Sequence, residues 1–132
     1  MRTRIALLLC ALGFGLGLAP EAATAAPLKA VVTAPTHTPK ANAKWWYTVR
    51  ASDLRGRPIR ATITTQIVDP FGGAHPVEFG DTHKLVVNYA FTSVFRDFIR
   101  FPPESKGFKL TVRVIVRAKS SKVVLTYWIT AR

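Results

Sequence analysis

Metal binding is the first chemistry to test, because a small β-domain with histidines in its loops can hold copper or zinc. The chain has three, His37, His75 and His83, each in a segment read below as a loop. No two of them show the H-x-H or H-x3-H spacing that places two imidazoles on one ion. Beyond residue 25 there is neither Met nor Cys, so the soft ligands are missing. The three loop histidines could still converge in space, and His75 and His83, flanking Glu78, are the pair to watch. The reading expects no metal and no other cofactor. Acid–base chemistry is no better served. Asp53 and Asp69 stand at turn positions that account for them. A calcium loop needs several oxygen ligands, whereas Asp53-Leu54-Arg55-Gly56 has Arg55 and Arg57 instead. No serine occupies a nucleophile-elbow setting, and no Gly-rich loop opens a helix to hold phosphates. The sequence predicts no catalysis.

The chemistry that remains is electrostatic. With 19 Lys and Arg against 7 Asp and Glu, the chain carries +12. A field of this sign favours anionic partners and speeds their encounter. The aromatic that could join such a site lies in the last two runs. Phe108, Leu110, Val112, Val114 and Val116 alternate with Thr111, Arg113, Ile115 and Arg117. Then Val123, Leu125, Tyr127 and Ile129 alternate with Val124, Thr126, Trp128 and Thr130. A two-residue loop at Ser120-Ser121 predicts a hairpin with Val112 facing Ile129, Val114 facing Tyr127 and Val116 facing Leu125. On its outer side Arg113 is then directly opposite Trp128, with Arg117 beside Val124. Cross-strand neighbours about 5 Å apart let a guanidinium lie over an indole. Arg60 joins them if its strand pairs with 108–117. Trp128, Arg113, Arg117 and Arg60 are therefore the candidate binding residues.

The elements that position this face begin at 44–68, two strand-like runs hinged on a turn. Trp45, Tyr47, Val49 and Ala51 alternate with Trp46, Thr48, Arg50 and Ser52. Ile59, Ala61, Ile63 and Ile67 alternate with Arg60, Thr62, Thr64 and Gln66. Period two with β-branched and aromatic residues predicts strands with one face on a core. Asp53, Gly56 and Pro58 supply the turn between them. Residues 27–34 read as an edge strand and 35–43, with two prolines, as a loop. After the turn at 69–73 come short runs at 76–79 and 85–87. Residues 90–101 read as a strand, although Phe91, Phe95 and Phe98 also fit helical spacing. Pro102 and Pro103 end that element. The predicted core is Tyr47, Val49, Ile63, Val112, Val114, Val116 and Leu125.

Residues 1–25 read as a secretory signal peptide: Arg2 and Arg4, an apolar run at 5–18, then Ala23-Thr24-Ala25 as an A-x-A cleavage site. The run falls short of the ~20 residues of a spanning helix, so no transmembrane anchor is expected after processing. Cys10, the only cysteine, follows Leu7, Leu8 and Leu9, which is not a lipidation context. The mature domain, 26–132, has 17 Lys and Arg against 6 Asp and Glu, and no disulfide; packing alone must hold it.

Six or seven strands without a firm helix predict an all-β, two-sheet sandwich. Trp45-x-Tyr47-x-Val49, Asp53-x-x-Gly56-x-Pro58, Phe101-Pro102-Pro103 with Gly107, and the closing hairpin resemble bacterial immunoglobulin-like modules across 28–131. The antibody-type Cys…Trp…Cys signature is absent. The resemblance implies an immunoglobulin-like sandwich of about seven strands and carries no chemistry of its own. The functional expectation is a secreted, non-catalytic binding module. Its partner would be an anionic envelope polymer, a membrane surface or an envelope protein. Export and the lack of a nucleic-acid-binding module argue against nucleic acid. The alternative is a small ligand or metal carrier using the His75 and His83 loops.

Overall fold

The computed structural model describes residues 27–132; the signal-peptide reading of residues 1–25, Cys10 included, lies outside the described residues. Eight strands follow one another: β1 (Leu28–Thr33), β2 (Lys44–Asp53), β3 (Arg60–Val68), β4 (Ala74–Pro76), β5 (Tyr89–Thr92), β6 (Val94–Arg100), β7 (Lys109–Ala118) and β8 (Ser121–Thr130). They form two antiparallel sheets. One is ordered β1-β2-β6; the other is ordered β4-β3-β7-β8, with β5 also pairing with β3. The helical content of the described residues is one 3-10 turn at Pro103–Ser105, and among them no helix is long and apolar enough to cross a membrane.

Period-two alternation builds the core. In β2 the residues Trp45, Tyr47, Val49 and Ala51 are buried, while Trp46 and Arg50 face out. Tyr47, Val49, Ile63, Val112, Val114 and Val116 are at most 1% exposed, as predicted. Leu125 is not; it is half-buried. β8 is the edge of its sheet, so its inward side chains are covered from one side only. Among the buried residues are three polar ones, Asp53, Thr65 and Asp97. The Tyr47 hydroxyl lies 3.0 Å from Thr65 Oγ1 and 3.3 Å from Asp97 Oδ2, tying the two sheets together. Burial pushes the Tyr47 phenol far above its ordinary range.

Residues 90–101 are neither one strand nor a helix. Ser93 takes φ +67°, a left-handed conformation uncommon for a residue with a Cβ. The chain breaks there: β5 stays with β3, and β6 crosses to pair with β2. Phe91 and Phe95 turn into the core, and Phe98 faces out beside Trp46. The β2–β3 turn is braced by Asp53, whose carboxylate accepts the N–H groups of Arg55 and Arg57 and the Arg57 Nε, each at 2.9 Å. These bonds, the Arg57 amide first, hold its pKa below the ordinary value. Asp69 plays the same part in the β3–β4 turn, accepting from Phe71 N and Gly73 N. A Cβ at Gly73 would collide with that carboxylate.

The closing hairpin has a different register from the one predicted. The loop is Lys119-Ser120, with Ala118 paired to Ser121. Lys119 has the positive φ, +52°, that tight two-residue hairpins need at their first central position. Val112 therefore faces Tyr127, Val114 faces Leu125 and Val116 faces Val123. The slip is two residues, so each side chain keeps its predicted face and changes its partner.

A candidate anion-binding face

β3, β7 and β8 run side by side, and their outward residues form a grid. Its rows are Thr62–Arg117–Lys122, Thr64–Ile115–Val124, Gln66–Arg113–Thr126, Val68–Thr111–Trp128 and, at the end, Lys109–Thr130. Arg60 lies two residues before Thr62 on the same face. All four sequence-predicted site residues, Trp128, Arg113, Arg117 and Arg60, are thus on one surface. Their mutual contacts are not those predicted.

Thr111, not Arg113, is directly opposite Trp128, and Lys122, not Val124, is opposite Arg117. Arg113 is turned to its other neighbour. Its Nε and Nη2 both donate to Gln66 Oε1, at 3.0 and 2.7 Å. Lys109 takes the position over the indole, with Nζ 5.7 Å from the Trp128 ring centroid. At an exposed site this is worth about 0.5–1 kcal/mol at most. Trp128, 46% exposed, is held from its other side by His37, stacked at 4.0 Å. The imidazole also stacks on Tyr127 at 4.2 Å, and its Nδ1 donates to Trp128 O at 2.6 Å. Thr130 N–H donates to His37 O and Arg132 N–H to Pro39 O, so this loop covers the open edge of β8. His37 is a structural residue here.

The charge on the grid is one-sided. Lys109, Arg113 and Arg117 follow β7 at intervals of four residues, about 13 Å each. Arg60 and Lys122 flank Arg117, and no Asp or Glu occupies a grid position. Of the six side-chain carboxylates among the described residues, the four aspartates are committed elsewhere, and Glu78 and Glu104 are exposed off the grid. Asp53 and Asp69 brace turns, Asp97 is buried, and Asp81 takes a two-pronged bond from Arg100 at 2.9 and 3.1 Å. That guanidinium holds the Asp81 pKa below its ordinary value.

The opposite sheet carries a second basic and aromatic surface that the sequence reading did not single out. Trp46 faces Phe98 edge-on at 4.9 Å. Arg96 lies 4.3 Å above Trp46, and Lys44 lies 4.7 Å above Phe98. These cations are engaged with the aromatics they cover, and Arg100 is engaged with Asp81. The signal for this face was the pairing of β2 with β6, which the unseen break at Ser93 concealed.

The histidine loops do not converge on a metal site. His75 Nε2 is 2.8 Å from Asp69 Oδ2, the contact that most lowers the Asp69 pKa. His83 Nδ1 is 4.0 Å from Glu78 Oε1 and fully exposed. Among the described residues no three His, Cys, Asp or Glu side chains are grouped to hold an ion. The chain matches no protein-family model, no curated protein and no solved structure.

Proposed function

We propose that this chain is a secreted, non-catalytic immunoglobulin-like module that binds an anionic envelope polymer along the outer face of β3, β7 and β8. The observation that carries the reading is the run Lys109–Arg113–Arg117 along one strand, flanked by Arg60 and Lys122, on a face without a carboxylate. Evenly spaced cations along a strand suit an extended chain of anions better than a compact ligand. Ile115, Val124 and Trp128 between them add apolar surface for the polymer's uncharged parts. The sheet orders β1-β2-β6 and β4-β3-β7-β8 support the immunoglobulin-like assignment, since they correspond to the A-B-E and C′-C-F-G arrangements. The apolar segment at 5–18 and the Ala23-Thr24-Ala25 site support export.

The test compares two triple variants of equal net charge for binding to polyphosphate and polygalacturonate. Lys109→Gln/Arg113→Gln/Arg117→Gln removes the strand of cations. Lys29→Gln/Arg50→Gln/Lys84→Gln removes three exposed cations elsewhere. With roughly 0.5–1 kcal/mol per exposed ion pair, the first should weaken binding about 10- to 100-fold at low salt. The second should weaken it only a few-fold. Equal losses would mean that net charge alone attracts the polymer, and no binding of either polymer by the wild type would reject the reading.

A further inference from the structure

The two residues opposite each other at the hairpin end of this face are Arg117 and Lys122. Like charges directly across a ladder destabilise it. The adjoining loop adds a second cost: Lys119, not Gly or Asn, occupies a left-handed position. Nothing nearby offsets either, because no carboxylate lies on this part of the face. Beside them is an open depression of about 440 Å³ lined by Arg60, Ala61, Thr62, Ala90, Arg117, Ala118 and Lys119. Its floor is small side chains with one hydroxyl, and its rim is three cations from three separate elements: β3, β7 and the β7–β8 loop.

We infer that this depression is a phosphate-group subsite, a reading that rests on the anion-binding function of the same face. Two guanidinium forks and an ammonium, from three separate elements, line this one depression. A tetrahedral phosphate presents oxygens to all of them, and each fork can take two. A planar carboxylate offers two oxygens in one plane and leaves at least one cation unsatisfied. Thr62 adds a hydroxyl donor from the floor. The left-handed Lys119 is then stability given up to place its ammonium beside the depression. The rest of the grid attracts any polyanion, and this end discriminates among them.

The experiment titrates the full chain with inorganic tripolyphosphate, with oligogalacturonate of matched charge, and with phosphatidylglycerol or phosphatidylcholine vesicles. Tripolyphosphate should bind at least tenfold more tightly than oligogalacturonate. Arg60→Gln and Arg117→Gln should each erase most of that preference, whereas Arg113→Gln should weaken both ligands equally and preserve it. Lys119→Gly should raise the melting temperature while lowering the preference. Preferential binding to phosphatidylglycerol over phosphatidylcholine, lost in Arg60→Gln, would identify a lipid headgroup as the source. Tripolyphosphate binding without it would identify a free or polymer-borne phosphate. If both oligoanions bind with equal affinity, the subsite is rejected and the general anion-binding face stands. If neither binds, both fall.

Discussion

Trp45→Ala is expected to destabilise the domain by about 3–5 kcal/mol, the range for deleting a buried aromatic side chain. For a domain of this size that lowers the melting temperature by roughly 15–25 °C. Trp45 is 2% exposed, and its ring lies against Tyr47, Phe101 and Tyr127 at 5.9, 5.5 and 5.7 Å. It therefore joins the middle of one sheet to the edge strand of the other. Its indole N–H also donates to Thr36 O at 2.8 Å. That bond anchors the loop whose His37 and Pro39 carbonyls cover the edge of β8. Trp45→Phe keeps most of the packing and loses the bond, and should cost only about 1 kcal/mol. Urea denaturation of the two variants separates these contributions. A loss below about 1 kcal/mol for the alanine variant would mean that this cluster does not hold the sheets together.

The strands at 44–68 and 108–130 were legible because facing is written in the period-two pattern, and two-sided burial enforces it. Trp45, Tyr47, Val49 and Ala51 went inside as read, and Arg113, Arg117, Trp128 and Arg60 went outside. Pairing was not legible. A two-residue slip leaves every facing unchanged, so the apolar pairs supported a loop at Ser120-Ser121 as well as the observed Lys119-Ser120. The feature that separates them is a left-handed lysine, which no residue preference announces. Ser93 at φ +67° hid the sheet crossing in the same way. Both misses are non-glycine residues in a conformation that glycine normally marks. They displaced the site by one row: the indole's cation became Lys109, and Arg113 turned to Gln66.

The second large effect should appear at Asp97, the buried carboxyl between the sheets. Burial raises its pKa, and the N–H groups of Phe98 and Gly80 and the Tyr47 hydroxyl only partly offset this. The sign follows from proton counting. Between the ordinary aspartate value and the raised one, the folded state holds the proton and the unfolded state has lost it. Stability therefore falls as pH rises through that window and is recovered on acidification. Asp53, Asp69 and Asp81 act oppositely, since their lowered pKa values contribute stability that is lost as pH drops below the ordinary value. Asp97→Asn removes the first behaviour and leaves the second. Its carbonyl can still accept the Gly80 N–H, now bonded to Asp97 Oδ1 at 2.8 Å, and its amide can donate to Tyr47, whose proton then goes to Thr65. This variant should be at least as stable as wild type at pH 7, with an advantage that shrinks as pH falls toward 4. Asp97→Ala instead leaves the Gly80 N–H without its acceptor and should cost about 1–3 kcal/mol at pH 7, a cost that grows as pH falls toward 4. Urea midpoints measured at pH 4, 5.5 and 7 decide the matter. An Asp97→Asn difference independent of pH would show that the carboxyl titrates as an ordinary one, and that its value lies only in the hydrogen bonds it accepts.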